Sequence, residues 1–415
     1  MSNPLLAGVR VLDLSRLLPG PLCTLYLAQL GAEVIKIEHP DGGDYARRLA
    51  PELFALVNRG KRSVSLDLMR PEDVAALHRL VEDSDVLIES FRPGVMDKLG
   101  CGYAALKQIN PRLVYAALTG YGQTGPYRDR AGHDMNYCAY AGVLDQLGAA
   151  GAQPGLANVQ IADIAGGALT AATGVLAAVL GARQSGQGCL VDVAMLDGTL
   201  ALQQIALSTL RAHDEVEARG DGVLTGGLPN YRLYRCRDGR HLAVAALEPK
   251  FFRVVLSVLR DSVPAPLRWV FEWIDREAGS IRVDDRVDGG GAHTSEAPAA
   301  RLDPARLKRR LRPLHGLLAL VFRLRSRDDW ARRFSAVDGC VSPVLSLSEA
   351  LQDEQVVARG MVEEFRGKPA FACPIRFENA QVRSGDTPEL GADNDAVLRP
   401  PRTTAGVRVA LVPKS

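Results

Sequence analysis

The stretch "VRVLDLSRLLPGPLCTLYLAQLGAEVIKIE", residues 9–38, decides the fold class of this chain. It begins with a short apolar run rich in β-branched residues, "VRVLDLS" (9–15), and ends with another, "AEVIKIE" (32–38). Between them, "PLCTLYLAQLG" (21–31) has apolar residues at helical spacing and closes with Gly31, a common helix-ending residue. A strand, a helix and a strand in this order predict a βαβ unit in a parallel sheet.

The same alternation continues to about residue 120. Residues 70–84 have helical apolar spacing, and 85–91 and 113–120 are further strands of the buried type. The pattern predicts an α/β, Rossmann-like large domain whose ligands bind at the carboxyl ends of parallel strands. The first strand is followed by "SRLLPGPLC" and not by the glycine fingerprint G-x-G-x-x-G, so a dinucleotide cofactor is not expected.

The second half of the chain has a different pattern. Residues 151–212 look mainly helical, and 231–252 read as a hairpin that turns at Asp238 and Gly239. A smaller α+β domain is therefore expected after the large one. The predicted parts are the N-terminal part of the large domain (1–200), the small domain (201–335) with a polar, glycine-rich mobile insertion (278–304), and the return to the large domain with the C-terminal tail (336–415).

Composition excludes several classes of protein. A formal net charge of +2 argues against a nucleic-acid binder. Seven scattered cysteines without a Cys-x-x-Cys pair predict no disulfide framework and no metal site, and fit a reducing compartment. The first residues lack the basic head and apolar core of a signal peptide, so we expect a cytoplasmic protein. The Ala- and Gly-rich stretch 165–184 is expected to be a buried helix and not a membrane span.

Two segments combine glycines with groups that exchange protons. "LTGYGQTGPYRDRAGHDMNY" (118–137) follows a predicted strand and carries His133, although a plain surface loop remains the simpler interpretation. In "NVQIADIAGGALTAA" (158–172), Asp163 begins a long helix as a cap or first-turn residue. The glycines after Asp163 would clear space, and the free N–H groups of the helix start would stabilise an oxyanion.

Other charged residues are ambiguous when each is taken alone. Glu248 ends an apolar strand, where it is either a surface residue or part of a site. "NRGKRSVSLDL" (58–68) and "ESFRPGVMDKLG" (89–100) place Arg or Lys beside turns near strand ends. Arginine suits phosphate oxygens, but scattered surface charge explains the pattern equally well.

These motifs together, in this order, resemble the family III CoA transferases. The resemblance runs from about residue 5 to 252 and resumes over 328–361, and it begins with "LAGVRVLDLSRLLPGPLCTLYLAQLGAEVIKIEHP". It implies an acyl-CoA substrate and a homodimer of two chains interlocked like linked rings. It implies no metal and no organic cofactor, because the thioester itself acidifies the neighbouring carbon.

Two chemistries compete within that family. Its transferases use an aspartate nucleophile at the position of Asp163, whereas its alpha-methylacyl-CoA racemases use a histidine and an aspartate. "GHDMNY", "ADIAGG" and "ALEPKFF" are similar to the racemase branch, and "GDGVLTGGLPNY" (220–231) lacks the uninterrupted glycine run of the transferases. We therefore expect a racemase. CoA transfer through an Asp163 acyl-enzyme is the alternative, and a non-catalytic acyl-CoA-binding protein is a third.

The racemase resemblance assigns the catalytic roles. His133 and Asp163 would flank one carbon and exchange the roles of base and acid, so Asp163 must hold a proton near neutral pH. Glu248 would pair with His133 across the dimer and favour the imidazolium.

The same residue matching assigns the CoA contacts. They fall on His39, Leu66, Asp67, Leu68, Met69, Ser90, Phe91, Arg92, Lys98, Gly132, Asp134, Met135, Asn136 and Tyr137. His39 stands where many members have Arg, and Met69 stands where some have Lys; either departure would loosen the hold on the CoA phosphates. Four basic residues are expected to compensate: Arg47, Arg48, Arg59 and Lys61.

Overall fold

The larger of two compact units is built on a six-stranded parallel sheet. The computed structural model describes residues 4–272 and 304–398. This unit comprises the described residues up to Val143, then Ala157–Gln203, and those from Gly360 onward. Its strands are β1 (Arg10–Leu14), β2 (Glu33–Glu38), β3 (Arg62–Ser65), β4 (Val86–Glu89), β5 (Val114–Thr119) and β6 (Leu190–Ala194). The order is β3-β2-β1-β4-β5-β6, which confirms the mixed α/β prediction with a parallel sheet.

The strand order creates a switch point between β1 and β4. Strands β1, β2 and β3 progress to one side, whereas β4, β5 and β6 progress to the other. At such a point the loops that leave adjacent strands diverge and open a crevice, which is where α/β sheets bind ligands. Strands β3 and β6 were not predicted, because the sequence of β3, "RSVS", holds a single apolar residue and β6 lies in a segment read as helical.

Helices cover the sheet and an antiparallel hairpin follows in the C-terminal part. The elements are α1 (Pro19–Gln29), α2 (Ala46–Leu49), α3 (Pro51–Asn58), α4 (Pro71–Glu82), α5 (Val95–Lys98), α6 (Tyr103–Ile109), α7 (Asp134–Tyr140), α8 (Val143–Gln146, at the boundary of the unit), a π-helical stretch (Ala162–Leu169) that continues into α9 (Thr170–Ser185), α10 (Met195–Ala201), the hairpin strands β10 (Val362–Phe365) and β11 (Lys368–Phe371), and α17 (Asn394–Leu398). Gly31 has a φ of +107° just beyond α1, as the sequence predicts.

The core of the larger unit lies against the sheet. Strands β4 and β5 are buried at every position, as expected for a sheet covered on both faces. The helix Ala162–Ser185 has the length and composition of a membrane span, although a third of its most apolar stretch is buried within the chain. It packs against β5, β6 and α1, which are the contacts of a core helix. Length and composition alone are weak evidence for a span, because core helices share them.

The smaller unit combines a three-stranded antiparallel sheet with helices. It comprises Leu144–Leu156 and the described residues of Gln204–Arg359. Its elements are α11 (Gln204–His213), β7 (Tyr231–Arg235), β8 (His241–Ala245), α12 (Pro249–Arg260), a 3-10 turn (Ala265–Leu267), α13 (Pro304–Phe322), α14 (Arg327–Ser335), β9 (Val341–Pro343), α15 (Leu347–Ala350) and α16 (Glu354–Ala358). The predicted hairpin is confirmed, with Gly239 at a φ of +82°.

The boundary between the units differs from the predicted one. Strand β9 pairs with β8, so residues after 336 remain with the small sheet and the return to the larger unit comes at Gly360. Apart from Pro304, the insertion expected at 278–304 lies outside the described residues, as does the tail beyond 398.

Candidate active site

His133 ends the glycine-rich loop that follows β5. It precedes the first turn of α7, where its backbone N–H donates to the side-chain oxygen of Asn136 at 3.1 Å. Its carbonyl accepts from the Asn136 N–H at 2.8 Å. These two bonds fix the backbone of His133, while the side chain is exposed.

Asp163 lies in the first turn of the π-helical stretch, and a different acid caps that helix. The Asp134 carboxylate accepts from the N–H groups of Ala162 at 2.7 Å and Asp163 at 3.0 Å. The next N–H group, of Ile164, donates to the carbonyl of Gln160 at 2.9 Å. The expectation that these N–H groups would face an oxyanion is therefore wrong, because all three already have acceptors.

Burial and two neighbouring charged groups shift the pKa of Asp163. Burial, and then the neighbouring Asp134 carboxylate, raise the pKa of Asp163 to about 6, whereas His133 opposes the rise. The three side chains therefore interact within one site. A carboxyl with this pKa is present in both protonation states near neutral pH, which is the condition stated for a residue that both donates and accepts a proton.

Glycines after Asp163 serve packing and not ligand access. A Cβ on Gly166 would lie 2.3 Å from the Thr199 hydroxyl oxygen and 2.6 Å from the Met195 carbonyl oxygen of α10. A Cβ on Gly198 would lie 2.2 Å from the Gly166 carbonyl oxygen. The backbones of the π-helical stretch and α10 are thus in direct contact, which corrects the prediction that the glycines clear space.

A cluster of tyrosines adjoins His133. The ring of Tyr121 lies edge-on to those of Tyr127, Tyr137 and Tyr140. The Tyr137 hydroxyl donates to the carbonyl of Gly132 at 2.5 Å, and burial raises its pKa to about 12. Of these four, only Tyr137 was predicted from the sequence as a site residue, although four tyrosines within twenty residues were visible as a signal.

Six of the predicted CoA contacts line one cavity at the switch point. The cavity has a volume of about 130 Å³ and lies beyond the carboxyl ends of β1, β2 and β4. Those six residues are His39, Leu66, Asp67, Leu68, Met69 and Phe91. Arg16, which was not predicted as a site residue from the sequence, also lines this cavity.

The remaining predicted contacts lie around this cavity and along α7. A neighbouring cavity of about 430 Å³ shares Leu68 and Met69 and adds Lys98. Ser90 accepts from the Arg16 N–H at 3.0 Å, and Arg92 is exposed. In α7 and just before it, Met135 and Asn136 are exposed, while Gly132, Asp134 and Tyr137 make the contacts described above.

Three of the four basic residues expected to compensate are engaged in ion pairs. Arg47 binds both carboxylate oxygens of Glu38 at 2.8 Å. Arg59 pairs with Glu363 at 3.0 Å. The fully buried Lys61 pairs with Asp13 at 3.0 Å. The expectation that they hold phosphates is wrong for all three, while Arg48 is exposed.

Glu248 belongs to the smaller unit. It precedes α12, its carbonyl accepts from the Phe251 N–H at 3.1 Å, and its side chain is exposed. Its pairing with His133 across a dimer stays a prediction. Within the described residues, no three His, Cys, Asp or Glu side chains are grouped so as to hold a metal ion.

Comparison with known proteins identifies the family. The model of CoA-transferase family III matches residues 6–270 and 288–394. The chain is 34% identical to human alpha-methylacyl-CoA racemase over 86% of this chain and 81% of that protein. It is 40% identical to a succinate--glutarate CoA-transferase of Agrobacterium fabrum, over 95% of each.

A solved structure agrees in fold. The crystal structure of a CAIB/BAIF family protein from Brucella suis superposes with a TM-score of 0.77 at 28% identity, covering 96% of this chain and 99% of that one. On the sequence match and the shared architecture, this chain belongs to CoA-transferase family III, whose racemases and transferases form one enzyme superfamily.

Proposed function

We propose that this enzyme interconverts the (2R) and (2S) forms of 2-methylacyl-CoA thioesters. One observation carries the proposal: His133 and Asp163 interact within one site, and the pKa of Asp163 is raised to about 6. The similarity to alpha-methylacyl-CoA racemases of human and mouse supports it.

The proposed reaction moves one proton off carbon 2 and another proton onto its opposite face. Neutral His133 accepts the proton from one face, and the electron pair moves into the thioester carbonyl to give an enolate. Protonated Asp163 then donates to the other face, and the carbonyl re-forms. In the reverse direction Asp163 accepts and the imidazolium of His133 donates, so each epimer meets a different base.

The enolate oxygen needs hydrogen-bond donors, because a proton next to a thioester is only weakly acidic. The N–H groups of Ala162 and Asp163 are bonded to Asp134, so those donors come from elsewhere in the site. The proposal includes an interlocked cytoplasmic homodimer in which Glu248 of the partner subunit orients His133. No metal or organic cofactor takes part in this chemistry.

Deuterium exchange tests the proposal. A pure (2R)-2-methylacyl-CoA incubated with the enzyme in deuterated water should gain deuterium at carbon 2 and lose its configuration. A panel with fatty, steroid-side-chain and aryl-propionyl groups covers the open question of the acyl chain. Absence of exchange with every branched thioester in the panel would rule out the proposal.

CoA transfer between carboxylic acids is the second candidate. The 40% identity to the succinate--glutarate CoA-transferase of Agrobacterium fabrum favours it. In that chemistry the Asp163 carboxylate attacks the thioester carbonyl, forming a mixed anhydride and releasing the CoA thiolate. Hydroxylamine would then trap an acyl group on Asp163, CoA would move to an added dicarboxylate, and His133→Ala would have little effect.

A further inference from the structure

Arg16 lies at the switch point of the sheet, directly after β1. Its guanidinium carbon is 4.6 Å from the centre of the Phe91 ring and 5.1 Å from that of Tyr45. One of its terminal nitrogens donates to the Tyr45 hydroxyl at 3.1 Å. Among the residues that the structure describes, no carboxylate lies within ion-pair distance of Arg16, although it faces a cavity.

Hydrogen bonds to Ser90 and to the buried Asp44 hold the backbone around Arg16. The Arg16 N–H donates to the Ser90 hydroxyl at 3.0 Å. Leu17 has a φ of +65°, a conformation that a non-glycine residue keeps only where its surroundings enforce it. Its N–H donates to both oxygens of Asp44 at 3.1 Å, and buried Asp44 pairs with buried Lys36 at 3.1 Å. These bonds therefore fix the backbone position from which the Arg16 side chain extends.

Acids in the cavity wall do not neutralise Arg16. The Glu38 carboxylate is held by Arg47 through two bonds. Asp67 lies 3.6 Å from the His39 imidazole and accepts from the Met69 N–H at 3.0 Å. The cavity thus presents one guanidinium that lacks a carboxylate partner, with edge N–H groups available to a ligand.

We propose that Arg16 binds a phosphate group of CoA. This assignment rests on the proposed function only in requiring that the enzyme binds a CoA thioester. A guanidinium bonds phosphate oxygens through its planar fork. One terminal nitrogen of Arg16 donates to Tyr45, and the other terminal nitrogen and Nε remain available for a phosphate. The two rings hold the side chain in place, so little entropy is lost on binding. Arg16 thereby supplies the cationic contact that Arg47, Arg59 and Lys61 do not.

Binding measurements on three ligands test this assignment independently of turnover. Calorimetry would compare CoA, 3′-dephospho-CoA and pantetheine on the full chain, on Arg16→Met and on Arg112→Met. Arg112 is exposed just before β5, at the amino ends of the parallel strands, whereas Arg16 lies at their carboxyl ends. It therefore controls for the loss of one charge. We expect Arg16→Met to weaken CoA binding about tenfold or more, with no change for pantetheine and none for Arg112→Met.

The measurement with 3′-dephospho-CoA distinguishes between the diphosphate and the 3′-phosphate of CoA. If the loss on Arg16→Met persists with this ligand, the contact is with the diphosphate; if it disappears, the contact is with the 3′-phosphate. Equal CoA affinity of Arg16→Met and the parent would overturn the inference, as would equal weakening of CoA and pantetheine, which indicates a structural role. A parent chain that binds none of the three ligands contradicts the proposed function instead.

Discussion

At the scale of single residues, Asp134 links the two groups of the proposed proton transfer. Its carboxylate accepts from the N–H groups of Ala162 and Asp163 and so fixes the start of the helix that carries Asp163. A negative charge is favourable at a helix start. The same charge raises the pKa of Asp163, second only to burial. The position and the pKa of Asp163 therefore both depend on Asp134, a residue that the sequence comparison had assigned to CoA contact.

Asp134→Asn should distinguish the effect of the hydrogen bonds that cap the helix from the effect of the negative charge. Asparagine keeps an oxygen acceptor for the two N–H groups but removes the charge, so the pKa of Asp163 should fall below about 6. At a given pH a smaller fraction of Asp163 is then protonated. The rate of epimerisation in the direction in which Asp163 donates the proton should therefore begin to fall at a lower pH than in the parent. Separate pH–rate profiles for the two epimers measure this shift.

Asp134→Ala is the comparison for that experiment. It removes both charge and acceptor, so it should also lower stability by about 1 kcal/mol, as loss of a cap does. If the profile of Asp134→Asn coincides with that of the parent, Asp134 does not set the pKa of Asp163.

At the scale of elements, the active-site helix is held by contact between two backbones. The π-helical stretch meets α10 at Gly166 and Gly198, where no side chain fits. Such π-helical turns often occur at functional sites because they displace a helix face. The close contact fixes where the first turn, and with it Asp163, lies above the sheet.

Gly166→Ala should therefore destabilise the protein. The new methyl would lie 2.6 Å from the backbone oxygen of Met195, which cannot rotate away, and overpacking of this kind costs about 1–3 kcal/mol. Gly181→Ala in α9 is the matched control, because no atom lies within 4 Å of the added carbon. It should stabilise the chain by about 0.4–1 kcal/mol. Denaturant unfolding measures both, and equal effects of the two changes would contradict this account of the contact.

At the scale of the whole molecule, burial of Glu89 makes stability depend on pH. Glu89 ends β4 beside the switch point, and its carboxylate accepts from the Phe91 N–H at 2.7 Å. Burial raises its pKa to about 7, above an ordinary value of 4.5. The folded state therefore binds this proton more tightly than the unfolded state. The stability that this tighter proton binding contributes is fully present below pH 4.5 and is lost as the pH rises through about 7.

Glu89→Gln should remove this pH dependence. The rise in pKa corresponds to about 3 kcal/mol of stability lost across the interval. Relative to the parent, the variant should gain stability as the pH rises from about 4.5 to about 7, which urea unfolding at a series of pH values measures. A constant difference between the two proteins over that interval would contradict burial as the cause.

Sequence patterns predicted the parts of this molecule that depend on local order. The β1-α1-β2 unit, the parallel sheet and the hairpin of the smaller unit followed from apolar spacing and turn residues. Those patterns did not predict contacts between distant residues; the interaction of His133 with Asp163 and the shared cavity of six CoA contacts followed from the family resemblance. Asp134 caps a helix start 28 residues away, and Arg16 meets Ser90 across 74 residues. Periodicity carries no information about such pairs, which depend on how the strands are ordered.

The central claim is that His133 and Asp163 act on opposite faces of one carbon, and epimer-specific exchange tests it most directly. Deuterium uptake at carbon 2 would be measured for each pure epimer with the parent, His133→Gln and Asp163→Asn. We expect reciprocal losses: each substitution abolishes deuterium uptake from the epimer whose proton that residue removes and largely spares uptake from the other epimer. Loss of uptake from both epimers on His133→Gln with none on Asp163→Asn, or an acyl group trapped on Asp163, would contradict it.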